Sequence, residues 1–125
     1  MKDITNKNYL IKCDEYRDNH DVETIALHNA IVVSSGGAFK NCTNLREVFF
    51  GVDISRIGHG TFANCTSLTD VWFPIIDEGK IIEIANDAFR GCPNKITFHI
   101  FATALKNKYL NEYAKKHGFK VVGMI

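Results

Sequence analysis

The sequence predicts a repeat solenoid, α/β or mainly β, in which short coils stack along one axis instead of wrapping one central core. Three observations carry this prediction. The segment Phe39-Lys40-Asn41-Cys42-Thr43-Asn44-Leu45 returns 23 residues later as Phe62-Ala63-Asn64-Cys65-Thr66-Ser67-Leu68, and after a further 27 as Phe89-Arg90-Gly91-Cys92-Pro93-Asn94-Lys95. The same apolar spacing follows the first two copies, as Leu45, Val48, Phe50 and Leu68, Val71, Phe73. An isoleucine pair stands 8 and 5 residues before the aromatic, Ile54 and Ile57 ahead of Phe62 and Ile81 and Ile84 ahead of Phe89. Self-similarity at such a period marks supersecondary units that each bury their apolar face only against a neighbour.

The units can be followed along the chain. Stepping back 23 residues from the Phe39 copy finds Tyr16 in the aromatic column, Asn19 in the cysteine column, and Val22, Ile25 and Leu27 in the apolar one. A degenerate first unit therefore starts near Tyr16, and residues 1–15 are expected to form an arm or cap in which Tyr9-Leu10-Ile11 could begin the stack as a strand. About four coils fill 16–100. In the last, Phe98 and Ile100 hold their columns, but Lys95 stands where leucine belongs. The four extra residues of the third unit fall in 74–80, a turn with Pro74 and Gly79.

Within a unit, Val48-x-Phe50 alternates, so Val48 and Phe50 point inward and Glu47, Phe49 and Gly51 outward. The Phe-to-Leu segment is expected to make a short helical turn, its Asn, Thr and Ser side chains satisfying backbone groups locally. From 101 on, Ala104, Leu105, Leu110, Tyr113 and Ala114 fall near helical spacing, and Gly118 suits a helix C-cap. This predicts a capping helix over the raw apolar layer of the last coil. Phe119-Lys120-Val121-Val122 could add a final short strand.

The pattern Ala38-Phe39-x-x-Cys42-x-x-Leu45-x-x-Val48-x-Phe50, followed by Ile54 and Ile57, resembles the BspA-like class of leucine-rich repeats. The resemblance runs from about Tyr16 to Ile100. Tyr113-Ala114-Lys115-Lys116-His117-Gly118-Phe119 is similar to the short segment that often closes such arrays. The resemblance implies a right-handed leucine-rich-repeat stack used for adhesion or ligand binding, often at cell surfaces or in secreted proteins, and it carries over no catalytic residue.

Composition sets further bounds. With 46% apolar and 23% charged residues and a net charge of +1, the chain of 125 residues suits one folded domain and lacks a nucleic-acid footprint. Charge is uneven: from Phe101 onward five lysines face one glutamate, so the tail carries +4 and the rest −3. The wet face of a terminal helix explains this better than a contact patch. The helix is read as a cap and not as a membrane anchor, because its apolar face is narrow and broken by Asn111. No stretch reaches the roughly 18 apolar residues of a membrane span. Met1-Lys2-Asp3-Ile4-Thr5-Asn6-Lys7 holds no apolar run of the secretory kind, so the chain is expected either to work in the cytoplasm or to be a trimmed or fragmentary form of an exported protein.

The four cysteines raise a metal or thiol reading. Cys42, Cys65 and Cys92 share one repeat column, but their spacing follows the repeat and not the close pairs of zinc sites. They are expected as small buried apolar residues with free thiols, and Cys13, outside the column, as an exposed one. No metal or other cofactor is expected. His20, His28, His59, His99 and His117 are scattered, no metalloprotease, nucleophile-elbow or phosphate-loop pattern occurs, and a thiol- or metal-dependent enzyme is the remote alternative to a non-enzymatic module.

The outward column gives the candidate site. The middle outward positions are Ala26, Phe49, Trp72 and His99, those before them Thr24, Glu47, Asp70 and Thr97, and those after them His28, Gly51, Pro74 and Phe101. Phe49 and Trp72 should stack as an aromatic ladder beside the acidic pair Glu47 and Asp70, with His99 next in line. Glu47, Phe49, Asp70, Trp72 and His99 are thus the candidate ligand-binding residues, for a protein or a glycan. The other reading is that the chain's own arms or a second copy cover the ladder, as in a self-associating subunit or one segment of a longer array.

Overall fold

A computed structural model describes residues 2–77, 79–101 and 107–124. The described residues form a β-solenoid of about five turns with one C-terminal helix. The strands are β1 (Asp3–Thr5), β2 (Leu10–Ile11), β3 (Thr24–Leu27), β4 (Val32–Val33), β5 (Glu47–Phe50), β6 (Arg56–Ile57), β7 (Asp70–Trp72), β8 (Glu83–Ile84), β9 (Thr97–Phe101) and β10 (Lys120–Met124), with helix α1 (Lys108–His117) before the last. They build a six-stranded sheet in the order β1-β3-β5-β7-β9-β10 and a four-stranded sheet β2-β4-β6-β8. Every pairing is parallel, as a coiled path requires.

The register of the large sheet is the repeat read as geometry. Ile25 pairs with Val48, Val48 with Val71 and Val71 with Phe98, all fully buried. The aromatic column is a stack of rings: Tyr16 on Phe39 at 5.1 Å, Phe39 on Phe62 at 5.3 Å, Phe62 on Phe89 at 5.2 Å, all within 14° of parallel. Beside it the cysteines act as more than filler. Cys42 Sγ donates to the carbonyl of Tyr16, Cys65 to that of Phe39 and Cys92 to that of Phe62, at 3.1, 3.1 and 3.0 Å. Each thiol thus ties its coil to the aromatic of the coil before. All four cysteines are free, Cys13 exposed, Cys42 and Cys65 buried and Cys92 half-buried.

The Phe-to-Leu segments are turns and not helical turns. Cys42 N donates to Phe39 O and Leu45 N to Cys42 O, three residues back each time, while Asn41 N reaches across to Ala63 O in the next coil. Inter-coil bonds of this kind compete with helix formation for the same backbone groups. One column here adopts left-handed angles in four successive coils: Asp18, Asn41 and Asn64 at φ 61°, 63° and 60°, and Gly91 at 79°. Asn and Asp tolerate this region better than other side-chain-bearing residues, and Asn41 Nδ2 also donates to Asp18 Oδ1 while Asn64 Nδ2 donates to Asn41 Oδ1.

Three expectations change. Asp3–Thr5, within the expected N-terminal arm or cap, is strand β1 in full register with β3, whereas Leu10–Ile11 is strand β2, in line with the strand expected at Tyr9-Leu10-Ile11. The second sheet is new; its strands are only two residues long, too short for alternation to show. Ile81, expected inside, is exposed and Ile82 is buried instead; likewise Ile96 is buried where Lys95 breaks the leucine column. At Ile82 the inward position shifts by one residue just after the longer loop of the third coil; the shift at Ile96 is local, since the 27-residue step holds on both sides of it.

At the C-terminal end, Leu110 and Ala114 of α1 are buried. Asn107 is the N-cap: its Oδ1 accepts from Tyr109 N and Leu110 N, and its Nδ2 donates to the carbonyls of Asp77 and Lys80 at 3.1 and 2.9 Å. One fully buried side chain therefore starts the helix and ties down the long loop of the third coil. Gly118, at φ 74°, closes the helix, with Phe119 N donating to Ala114 O. Ala104 and Leu105 lie outside the described residues. β10 then adds to the large sheet beside β9, so the weakly alternating tail is a strand.

Candidate functional site

The outer face of the large sheet is built from three columns. Thr24, Glu47, Asp70 and Thr97 pair in one; Ala26, Phe49, Trp72 and His99 in the next. Alternation turns these side chains away from the buried Val48, Phe50, Val71 and Phe98, and parallel pairing sets successive copies roughly 4.8 Å apart. All five residues selected from the sequence are brought together here.

The ladder is continuous. Phe49 stacks on Trp72 with centroids 5.7 Å apart and planes 12° from parallel, and Trp72 on His99 at 3.7 Å and 7°. Each ring nitrogen bonds the acid of the preceding coil: Trp72 Nε1 donates to Glu47 Oε2 at 2.9 Å, and His99 Nε2 to Asp70 Oδ1 at 2.7 Å. These diagonal bonds fix ring orientation, so the ladder is preorganised. Burial pushes the Asp70 carboxyl up, but the hydrogen bonds from His99 and Thr69 outweigh it and hold the group below its ordinary value. The acids thus serve as acceptors for the ladder as well as surface charge.

A groove, not among the expectations from the residues, lies where this face meets the corner of the coil. His28, Phe49, Phe50, Gly51, Trp72, Phe73, Pro74 and Phe101 line a cavity of about 540 Å³, mostly apolar. Val52 lies on its wall, 55% exposed. Gly51 keeps the corner tight, because a Cβ there would collide with the His28 carbonyl. The signal that could have found it is the outward column after the ladder, His28, Gly51, Pro74 and Phe101, where glycine and proline replace bulky residues beside aromatics. No residue of α1 lines the groove.

Among the described residues no group of three or more His, Cys, Asp or Glu is placed to hold a metal ion. Burial lifts the Cys92 thiol to about 12, and the neighbouring Cys42 thiol together with burial holds the Cys65 proton on still more firmly. These thiols are poor nucleophiles at neutral pH. No helix of the described residues is long and apolar enough to cross a membrane.

Stacked parallel coils, a repeated aromatic and leucine column and an outward ladder define the class of leucine-rich-repeat solenoids, a fold that typically carries no enzyme activity and serves protein binding or a structural role. Within it, the family model of the BspA type leucine rich repeat region matches residues 2–116 in 6 copies, and the chain belongs to that family. The match takes in the N-terminal coil that the sequence pattern alone did not reveal. No curated protein and no solved structure matches the chain.

Proposed function

We propose that this chain is a non-enzymatic binding module that recognises a protein ligand through the outer face of its six-stranded sheet, in the adhesion-type manner that the family resemblance implies for surface or secreted proteins. The observation that carries the reading is the Phe49–Trp72–His99 ladder continuous with an apolar groove. Large apolar area held in fixed orientation loses little entropy on binding, and such aromatics are the usual energetic centres of interfaces. The stacking favours a protein over a glycan. Trp72, the natural platform for a sugar ring, has both faces covered by Phe49 and His99 and offers only its edge.

A peptide-display selection on the immobilised protein tests this. Selected peptides should lose binding to a Phe49→Ala, Trp72→Ala double variant that retains the circular dichroism of the parent. Peptides that bind parent and variant alike would place the site elsewhere. A double variant that no longer folds would show the ladder to be structural, the other reading of this surface.

A second reading, a self-associating subunit or array segment, draws on the sheet edges. β1 and β10 each pair on one side only. Asp3 and Lys120 occupy the same register column through Thr24, Glu47, Asp70 and Thr97, so end-to-end stacking would set opposite charges side by side. Light scattering across protein concentration separates the two, since a mass that stays monomeric leaves the binding face and removes the stacking.

A further inference from the structure

The groove and the acidic column together specify a partner more narrowly than the ladder does. Resting on the outer-face reading above, we infer that the partner presents an extended peptide segment that sets an aliphatic or aromatic side chain in the corner groove and a lysine or arginine over Glu47 and Asp70.

Three features of the face lead there. The groove is walled by Phe49, Phe50, Trp72, Phe73, Pro74 and Phe101, and its volume of about 540 Å³ has room for a large apolar side chain and its neighbours. Val52 on its wall is exposed, so the apolar lining is open to a partner. An apolar group gains by leaving water here, and a charged one would lose its hydration.

The acids lie at the other end of the same strands and are not neutralised by lysine or arginine of the described residues. The nearest arginine in sequence, Arg46, pairs with Glu23 at 2.9 Å, and Lys2 reaches the same glutamate at 3.5 Å. Glu47 accepts from Trp72 through Oε2, and its Oε1 has no bonding partner among the described residues. Asp70 is bonded to His99 and Thr69, which hold its carboxylate in place. Asp3 extends this acidic column toward β1, with Oδ1 accepting from Thr24. A cation is the complement of such a column.

Spacing joins the two. Gly51 stands four residues beyond Glu47, Pro74 four beyond Asp70 and Phe101 four beyond Thr97. At ~3.3 Å per residue that is about 13 Å along the strand. A peptide extended along the strands has the same rise, so a cation and an apolar residue four positions apart reach both ends. Even spacing also puts them on one face of the peptide. Between them, the apolar stem of the lysine or arginine crosses the ring edges of the ladder.

The test uses synthetic peptides, otherwise built from glycine, serine and threonine, with lysine and leucine four positions apart. Controls replace the lysine by glutamate, replace the leucine by alanine, or set the two residues three positions apart. Binding is read from the emission of Trp72, the single tryptophan of the chain, and from amide shifts in NMR spectra. The lysine–leucine peptide should bind, with shifts centred on residues 47–52 and 70–74, and each control should bind more weakly. The Glu47→Gln variant keeps an acceptor for Trp72 and should weaken the lysine peptide by about two- to fivefold, as expected for one partly exposed charge pair, with little change for the glutamate control. Absence of binding, equal affinity for lysine and glutamate peptides, or indifference to the Glu47→Gln change would overturn the inference. The outer-face reading fails separately. Display-selected peptides that need Phe49 and Trp72 but carry no such cation–apolar pair leave that reading standing and remove this one.

Discussion

Replacing Phe62 by alanine removes an inner ring from the stack Tyr16–Phe39–Phe62–Phe89. Phe62 is fully buried, lies face to face with Phe39 and Phe89, and meets Phe50 edge-on at 6.4 Å. Truncating a buried phenylalanine costs about 3–5 kcal/mol through lost transfer energy and the cavity left behind. Two flanking stacks and one edge contact, at ~0.5–1.5 kcal/mol per aromatic pair, place Phe62 in the upper half of that range. With an unfolding entropy near 2.1 cal/mol/K per residue, a loss of ~4 kcal/mol in a chain of 125 residues lowers Tm by roughly 15 °C. Thermal unfolding followed by circular dichroism reads this directly. Tyr16→Ala, which removes a ring stacked on one side only, should shift Tm by clearly less. A fall of under about 5 °C for Phe62→Ala with native-like spectra would mean that the rings do not bear on one another as the stack requires, and the argument for column-by-column cohesion would fail.

The remaining predictions concern the thiols, the helix cap and acid stability. Of the four cysteines, a thiol reagent at neutral pH should modify the exposed Cys13 first, the half-buried Cys92 more slowly, and Cys42 and Cys65 only on unfolding, while reductant and chelator leave Tm unchanged; labelling of Cys42 or Cys65 as fast as Cys13 would contradict the burial and hydrogen bonds assigned to them. Asn107→Ala should cost about 2–4 kcal/mol by chemical denaturation, combining a lost cap with two lost buried bonds, and Asn107→Asp should be no better because a carboxylate cannot donate to the carbonyls of Asp77 and Lys80. Asp70 is depressed below 3.8 in the fold, so it stabilises the protein above that pH and the contribution disappears as pH falls through the folded-state value. The stability gap between parent and Asp70→Asn should therefore close as pH falls below 3.8; a gap that widened below that pH would reverse the sign of the argument.

Much of the architecture was legible in the residues because solenoids write their geometry as periodicity. The column assignments for Phe39, Phe62 and Phe89, for Leu45 and Leu68, and for the outward Phe49, Trp72 and His99 need only a repeat length and the two-residue alternation of a strand. The strand at Leu10–Ile11 was legible as an apolar run, but β1 was not: Asp3-Ile4-Thr5 is only three residues long and lies outside the repeat columns that mark the later coils. The four-stranded sheet escaped because its strands are only two residues long, too short for alternation to show, and Ile81 was misplaced because a loop insertion can be absorbed one residue earlier or later at no visible cost in the sequence.

By itself, then, the sequence determined the stack, its aromatic and cysteine columns and which side chains face out, since these follow from the order of residues along one strand and from the distance between copies. Tertiary structure alone decided what the columns do to each other. It set the thiol of each column cysteine on the carbonyl of the previous coil, turned Glu47 and Asp70 into acceptors for Trp72 and His99, and opened the groove between Phe50, Phe73 and Phe101. Those relations depend on how one coil is offset from the next by a few ångströms, a quantity fixed by packing and absent from any single repeat.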